Sequence, residues 1–217
     1  MEFYKQILDY LIKEKKLIDN PSTEMEIAEY FGCSRASVRD ALNKLESDRL
    51  IIRKKKKGLY LRIPSPQELT ESYDLRAVLE SYALRLMVSY RDVNNLEVLG
   101  SLAQDYENAA AENNIQECLT INSQFHMKII EYSKNKTLMK MVKNLRLITD
   151  LFRFAYQFKD HVQITSDQDN TCSHLKIVQA LEDKNSNKAE ELLKQHIYKG
   201  KISTLEAALG IKFHNQT

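Results

Sequence analysis

The chain has 217 residues, of which 43% are hydrophobic and 29% are charged, and its formal net charge is only +2. This composition indicates a globular protein with enough apolar side chains for one large or two small cores, and it excludes a disordered or strongly basic chain. No apolar run is long enough to span a membrane, and the three cysteines form no CxxC pair. We therefore expect a reduced cytoplasmic protein without membrane contact, a disulfide framework or a zinc ribbon.

The first thirty residues predict two helices. The opening segment MEFYKQILDYLIKEKK has the apolar spacing of an amphipathic helix and lacks the pattern of a signal peptide. Farther along, Thr23 and Glu26 have the spacing of a capping box, and the apolar stripe that follows them stops at Gly32. A short helix is therefore predicted between the capping box and this glycine.

A further helix is predicted to begin at Arg35, with Ser34 as its N-cap. Its apolar residues from Val38 to Leu45 recur at helical spacing, while Arg35 and Arg39 lie four residues apart on another face. Two helices joined by a short turn outline a helix-turn-helix, in which the second helix enters the major groove of DNA. From the helix pair alone, an ordinary surface helix with solvated arginines explains the pattern equally well.

The segment LIIRKKKKGLYLRI favours DNA binding. It predicts two short strands joined by a basic hairpin, placed where the wing of a winged helix-turn-helix contacts phosphates. Residues 33 to 62 contain ten Lys or Arg against three Asp or Glu, a local net charge of +7. Because the whole chain carries only +2, this charge is concentrated in one region, as expected for a surface that meets nucleic acid.

A domain boundary is predicted at RIPSPQEL. Pro64 and Pro66 disfavour helix at the residues before them, whereas Ser65, Pro66 and Glu68 occupy the N-cap, N1 and N3 positions of a new helix. From residue 67 onward the sequence has no proline, and it shows about six helical segments with breaks near 92–95, 112–114, 134–136, 159–169 and 183–186. We therefore expect an all-helical bundle over residues 65–217, after a DNA-binding domain over residues 1–64.

Three histidines face the predicted core of this bundle from three separate helices. His126, His174 and His196 each lie on an apolar face, and Asn122 lies one turn before His126. A single inward histidine is usually an ordinary core residue, and that reading stays open for these three. Inward imidazoles from facing helices are also the pattern that binds Zn²⁺, Ni²⁺ or a similar divalent transition metal.

These motifs resemble the GntR family of bacterial transcription regulators, in the FadR-like subgroup with a C-terminal FCD ligand-sensing domain. The recognition motif GVSRxxVRxAL appears here as GCSRASVRDAL. The FCD motifs are matched by SYDLRAVLESYALRL, by NSQFHMKIIEYSKN and by SHLKIVQALEDKNSNKAEELLKQHI. The resemblance implies a mainly α protein: a winged helix-turn-helix of three helices and a small β-hairpin wing, followed by an all-α FCD bundle.

The resemblance also implies which residues contact double-stranded DNA. Arg35 and Arg39 correspond to the recognition-helix arginines, and Arg49 replaces the family's usual glycine. Met25 stands where many members carry another DNA-contacting arginine, a loss for which the lysine run compensates through phosphates. The complete expected set is Ser34, Arg35, Ser37, Arg39, Arg49, Lys55, Lys56, Lys57 and Gly58.

In the second domain, the resemblance maps Asn122, His126, His174 and His196 onto the ligands of metal-containing FCD domains. Asparagine replaces the more common aspartate, so we expect weaker metal binding. Arg76, and less directly Arg146, are the expected ligands of a small carboxylate effector. An ordinary ion pair of Arg76 with Glu80, one turn away, is the alternative.

The expected protein is thus a homodimeric, ligand-responsive repressor, not an enzyme, that binds a palindromic operator. Two alternatives remain open. One is a metal-free FCD regulator in which the histidines pack or hydrogen-bond an organic ligand. The other is a metal-dependent hydrolase, which needs a general base beside the metal; the sequence contains no HExxH motif, and the inward helix faces carry few acids.

Overall fold

A computed structural model describes residues 2–17, 19–90, 93–157 and 173–210. The chain divides into two compact units, Met1–Pro64 and Ser65–Thr217. Within the described ranges, no helix is long and apolar enough to cross a membrane. Cys172 and the predicted break at 159–169 lie outside the described residues.

The first unit begins with three helices and confirms the predicted helix-turn-helix. Thr23 and Glu26 form the capping box at the start of the second helix, and Gly32 ends that helix in the left-handed conformation. Ser34 caps the third helix by accepting a hydrogen bond from the backbone N–H of Ser37. The helices are α1 (Glu2–Lys13), α2 (Glu24–Phe31) and α3 (Arg35–Ser47).

The predicted wing is an antiparallel hairpin of β1 (Ile51–Lys54) and β2 (Gly58–Leu61), in which Ile51 pairs with Leu61 and Lys54 with Gly58. A short bridge between Ser22 and Leu59 ties the hairpin to the segment before α2. Its inner face joins the apolar residues of the three helices in a small core. The hairpin is therefore held by the segment before α2 at Leu59, close to the tip that carries the lysines.

Three turn residues described in this unit, Lys15, Arg49 and Lys56, adopt the left-handed conformation without being glycine. Arg49, with φ of +57°, occupies the turn between α3 and β1, and Lys56, with φ of +65°, lies at the hairpin tip. A side chain in this conformation costs about 1–2 kcal/mol. Arg49 thus keeps the backbone shape that a glycine would adopt readily, so the turn is preserved at an energetic cost.

Over its described residues, the second unit is built of helices, as predicted. Its first helix begins with the predicted capping box of Ser65 and Glu68 and with Pro66 in its first turn. The described helices are α4 (Pro66–Ser89), α5 (Val93–Ala111), α6 (Ile115–Tyr132), α7 (Lys136–Gln157), α8 (His174–Glu182) and α9 (Ser186–Leu209).

Helix α4 lies at the centre of this unit and packs against α6, α7 and α9. The apolar core around it includes Tyr73, Leu84, Phe125 and Phe152. Several polar side chains are nevertheless buried beside this core, and such groups are stable only when hydrogen-bonded, paired or bound to a ligand. They include Arg76, Glu80, His126, Arg146, Thr149 and His174.

Candidate functional site

The recognition helix presents its predicted DNA-contacting residues to solvent. Arg35 and Arg39 are exposed on α3, on a face beside its buried apolar stripe. Ser34 and Ser37 are exposed at the start of the helix, where their hydroxyl oxygens lie 2.9 Å apart. Arg39 is not isolated, because its guanidinium donates hydrogen bonds to Glu24 on α2.

The wing adds a cationic edge to this surface. Lys55, Lys56 and Lys57 are exposed at the hairpin tip, and Arg49 is exposed in the turn before β1. Gly58 has a structural requirement of its own: a Cβ there would lie 2.6 Å from the carbonyl oxygen of Ser22. Close packing within the protein is thus sufficient to explain this glycine.

The second candidate site is formed by the three inward histidines. One ligating nitrogen from each of His126, His174 and His196 lies within 4.8 Å of the others. The ring centroids of His174 and His196 are 4.3 Å apart, and those of His126 and His196 are 5.2 Å apart. The structure thus brings together side chains from α6, α8 and α9, and the predicted convergence is confirmed.

Asn122 completes the expected ligand set. It lies on α6 one turn before His126, and its Oδ1 atom is 3.4 Å from Nε2 of His196. An amide oxygen therefore stands at the edge of the imidazole cluster. Among the described residues, Nε2 of His174 is buried without a hydrogen-bond partner. A buried nitrogen in this condition is unfavourable unless something supplies the missing interaction.

Glu80 links the histidine cluster to two buried arginines. Its Oε2 atom lies 2.6 Å from Nδ1 of His126, and its Oε1 atom accepts a hydrogen bond of 2.7 Å from Nε of Arg76. Nη1 of Arg146 lies 3.7 Å from the same Oε1 atom. This carboxylate, which has no exposed surface, is therefore surrounded by two guanidinium groups and an imidazole.

These surroundings determine the protonation of the site. Burial lowers the pKa of His126 to about 4, although Glu80 acts in the opposite direction. Burial, together with the two neighbouring imidazoles, holds the pKa of His174 well below its usual value. Burial alone would raise the pKa of Glu80, but Arg76 and His126 outweigh it and hold that pKa well below its usual range. At neutral pH, neutral imidazoles therefore face an ionised carboxylate.

The two buried arginines differ in how they are bonded. Arg76 donates to Glu80 and also to Thr149 at 3.3 Å, and its guanidinium lies 5.0 Å from the centre of the Tyr73 ring. Arg146 has a buried Nη1 atom without a hydrogen-bond partner among the described residues. Its pKa is lowered to about 10, by burial first and then by the charge of Arg76. Of the two arginines, Arg146 is therefore the one whose buried Nη1 atom has hydrogen-bond donors that no described residue accepts.

Sequence reasoning missed Glu80. The sequence analysis found few acids on the inward helix faces and named Glu80 only as a partner of Arg76, whereas the structure also places it against His126. A signal was present: Tyr73, Ala77, Glu80, Leu84 and Met87 recur at helical spacing and are all buried. An acid within such a stripe must have buried partners. The alternative pairing of Arg76 with Glu80 is observed, but as a buried contact and not as a surface ion pair.

Fold and site together define a class of protein. An exposed arginine-bearing helix beside a cationic hairpin is joined, in one chain, to a helical unit with a buried polar site. This combination is that of a winged-helix transcriptional regulator with a helical second domain.

Comparison with known proteins identifies the family. Residues 6–61 match the gntR family of bacterial regulatory proteins, and residues 71–199 match the FCD domain. The chain belongs to the GntR family and carries an FCD domain. The Nta operon transcriptional regulator of Aminobacter aminovorans is 27% identical over 187 residues, which cover 86% of this chain and 85% of that protein. A probable D-xylose utilization operon transcriptional repressor of Paenarthrobacter nicotinovorans is 24% identical, with 88% of this chain and 84% of that protein covered.

A solved structure has the same fold. E. coli McbR/YncC superimposes with a TM-score of 0.74 at 18% identity, over 94% of this chain and 97% of that one. The mainly helical architecture with an N-terminal winged helix-turn-helix is therefore confirmed.

Proposed function

We propose that this protein is a homodimeric, DNA-binding repressor of the FadR-like subgroup, whose FCD domain binds a divalent transition metal and responds to a small carboxylate. Residues 1–64 read the operator, and residues 65–217 bind the effector and dimerise. The observation that carries the proposal is the presence, in one chain, of an exposed arginine-bearing recognition helix and a cluster of three histidines, of which His126 and His174 are buried and His196 is half-buried. The relative from P. nicotinovorans, described as a probable repressor of a utilization operon, favours repression over activation.

Operator recognition is assigned to α3 and the wing. Arg35 and Arg39 read base edges in the major groove, where arginine can donate two hydrogen bonds to guanine. The neighbouring serines and the exposed wing lysines contact phosphates, which fix the position of the protein on the duplex without specifying sequence. The remaining proposed DNA contacts are Ser34, Ser37, Arg49, Lys55, Lys56, Lys57 and Gly58.

The histidine cluster fits a metal. The imidazoles of His126 and His174, whose pKa values are lowered by burial, are neutral at neutral pH, which a metal ligand must be, and a buried nitrogen of His174 lacks a partner among the described residues. The carboxylate on Nδ1 of His126 holds that ring as the tautomer with an unprotonated Nε2, an arrangement common in metal sites. His126, His174, His196 and the amide oxygen of Asn122 would hold Zn²⁺ or Ni²⁺, and the bound ion would supply a positive charge that attracts an anionic ligand.

Charge supports a carboxylate effector. Arg76 and Arg146 bring two buried positive charges, against which only Glu80 is in direct ion-pair contact among the described residues. The unused donor of Arg146 makes it the primary effector ligand. Arg76 helps through its charge, since its Nε atom is already bonded to Glu80.

Dimerisation is assigned to the second unit. Helix α4 has Leu75, Val78 and Tyr82 exposed along one face, although its opposite face is buried. A second copy of the chain would cover this apolar stripe and place two recognition helices on a palindromic operator. Effector binding would then favour one arrangement of the dimer, by no more than its difference in affinity for the two arrangements.

Selection of DNA tests the proposal. Full-length protein, purified with the metal retained, is used to select duplexes from a random-sequence library. We expect recovery of one short palindrome, with an affinity that falls steeply as salt rises. Small carboxylates are then tested for release of the selected duplex. Selection of no sequence would overturn the assignment as an operator-binding repressor.

A metal-free FCD regulator is the second candidate. The neutral amide of Asn122, already in contact with His196, favours it over a metal site with a charged ligand set. Elemental analysis of protein purified without chelator or a metal-affinity tag separates the two. The hydrolase is disfavoured, because Glu80 is bonded at the Nδ1 side of His126 and so stands away from the side of the ring that would meet a metal.

A further inference from the structure

Glu24 connects three elements, α2, α3 and β1, of the surface that is proposed to bind DNA and is called here the DNA-facing surface. It is the first residue of α2, and its Oε2 atom accepts hydrogen bonds from Nε and Nη2 of Arg39 on α3, at 3.2 and 3.1 Å. Its Oε1 atom accepts a hydrogen bond of 3.2 Å from Nη1 of Arg53 on β1. A single carboxylate thus contacts an arginine of the recognition helix and an arginine of the wing.

The contact restrains Arg39 without hiding it. The side chain of Arg39 is 58% exposed, whereas that of Glu24 is only 18% exposed. A guanidinium has five N–H donors, and two from Arg39 go to Glu24, so three are left for a ligand. The bonded edge fixes the plane of the guanidinium, and its outer edge stays available to a base.

Arg53 also contacts the recognition helix directly, which restrains its bond to Glu24. Its Nη2 atom donates to Oδ1 of Asn43 at 2.9 Å, and its Nε atom lies 3.2 Å from a carboxylate oxygen of Glu46. Both partners lie on α3, so Arg53 connects the wing to the recognition helix as well as to Glu24. The position of the Glu24 carboxylate is thereby defined by contacts from two directions.

A carboxylate at this place is unfavourable for general DNA binding. It lies within a region of net positive charge that is proposed to meet phosphates, where a negative charge repels the duplex and lowers affinity for any sequence. Its charge also competes with the DNA for Arg39. An acid that lowers affinity can still raise selectivity if it orients a base-reading group.

We propose that Glu24 is a positioning residue that orients Arg39 for base reading, and that it increases sequence selectivity while decreasing affinity for DNA in general. This inference rests on the proposed function, specifically on Arg39 as a base-reading residue. A purely structural role is the alternative, in which Glu24 stabilises the start of α2 through the helix dipole. It predicts that loss of Glu24 changes stability without lowering selectivity and raising general affinity for DNA.

The experiment compares two DNA duplexes: the one that the wild-type protein selects from a random library, and a shuffled duplex of the same length and composition. Affinities of the full-length protein for both are measured by fluorescence anisotropy at one salt concentration. Glu24→Gln removes the charge with little change in shape. Glu29→Gln is the matched control, since Glu29 is an exposed acid on the same helix.

For Glu24→Gln we expect affinity for the shuffled duplex to rise about twofold, because a repulsive charge is lost. The ratio of the two affinities should fall about tenfold, which lies within the discrimination that a well-placed arginine provides. Glu29→Gln should leave the ratio unchanged. Glu24→Asp, which keeps the charge but shortens the reach to Arg39, should lower the ratio without raising affinity for the shuffled duplex.

A double-mutant cycle tests whether Glu24 acts through Arg39. In an Arg39→Ala background, Glu24→Gln should lower the ratio no further. The inference is overturned if Glu24→Gln keeps the wild-type ratio, or if the ratio falls equally with and without Arg39. It is likewise overturned if both affinities fall together with the unfolding midpoint. Failure of the wild-type protein to select any sequence is a different result, which defeats the proposed function and the inference with it.

Discussion

Each unit contains an arginine bonded to a glutamate, but the two pairs lie in different surroundings. Arg39 and Glu24 meet at the surface, where the arginine is 58% exposed. Arg76 and Glu80 meet inside the helical unit, where the side chains are 3% and 0% exposed. An exposed pair contributes little to stability and leaves donors open to a ligand, whereas a buried pair is fixed, since either charge alone would be strongly unfavourable. In our proposal, the same two residue types thus serve DNA recognition in one unit and the organisation of a buried site in the other.

The largest expected effect is a difference in the free energy of unfolding between variants that lack the acid of one pair or of the other. Glu80→Ala should lower the free energy of unfolding by about 3–5 kcal/mol, because it leaves Arg76 and Arg146 buried without their counter-charge. Glu24→Ala should lower it by about 1 kcal/mol or less. Urea unfolding followed by circular dichroism measures both. Similar losses for the two variants would contradict the distinction between the pairs.

Within the DNA-facing surface, base reading and phosphate binding can be separated. Arg39→Ala should lower the preference for the selected operator over random DNA by about 1–3 kcal/mol. Lys55→Ala should weaken binding to both by a similar factor and reduce the slope of log affinity against log salt by about 0.9. Titrations at several salt concentrations provide both quantities. If Arg39→Ala weakens binding to both DNAs equally, Arg39 does not read bases.

A substitution at Asn122 tests whether this residue is a ligand of the proposed metal. Asn122→Asp replaces an amide oxygen with a carboxylate and should tighten binding of Zn²⁺ by about tenfold, because a charged oxygen is the stronger ligand for a divalent cation. Asn144→Asp, on the exposed face of α7, adds the same charge away from the site and is the control. Competition with a chromophoric chelator measures the affinities. Equal tightening in both variants would mean that Asn122 is not a ligand.

The smallest expected effect concerns the turn before the wing. Arg49 holds φ at +57°, so Arg49→Gly should raise the free energy of unfolding by about 1 kcal/mol through relief of backbone strain. Arg49→Ala removes the same charge but keeps a Cβ, and should give no such gain. Thermal unfolding of the two variants distinguishes a backbone effect from a charge effect. A gain in both would assign the effect to the arginine charge.

Much of the fold is predictable because its signals are local. The capping pairs Thr23 with Glu26 and Ser65 with Glu68 predict where α2 and α4 begin, and both are observed. The histidines also follow from local periodicity, because an imidazole on an apolar face must lie in the core. Their meeting requires, in addition, that the three faces belong to one bundle and that the imidazoles lie at the same level along it.

The parts that were not predicted depend on contacts between distant residues. Glu80 was missed because an acid four residues after an arginine fits an ordinary surface pair, and only the packing of α6 and α7 against α4 shows that it is buried. The bond between Glu24 and Arg39 spans fifteen residues and two helices. The packing reason for Gly58 is its approach to Ser22, which becomes visible only when the hairpin meets the segment before α2.

The metal content of the purified protein tests most directly the claim that the clustered histidines form a metal site. Tag-free protein is prepared without chelator and analysed by inductively coupled plasma mass spectrometry, together with His174→Gln and with Gln179→Ala, an exposed control on the same helix. We predict about one equivalent of Zn or Ni per chain in the wild type and in Gln179→Ala, and none in His174→Gln. Wild-type protein that holds no metal after incubation with Zn²⁺ or Ni²⁺ and desalting, or His174→Gln that retains a full equivalent, would contradict the account.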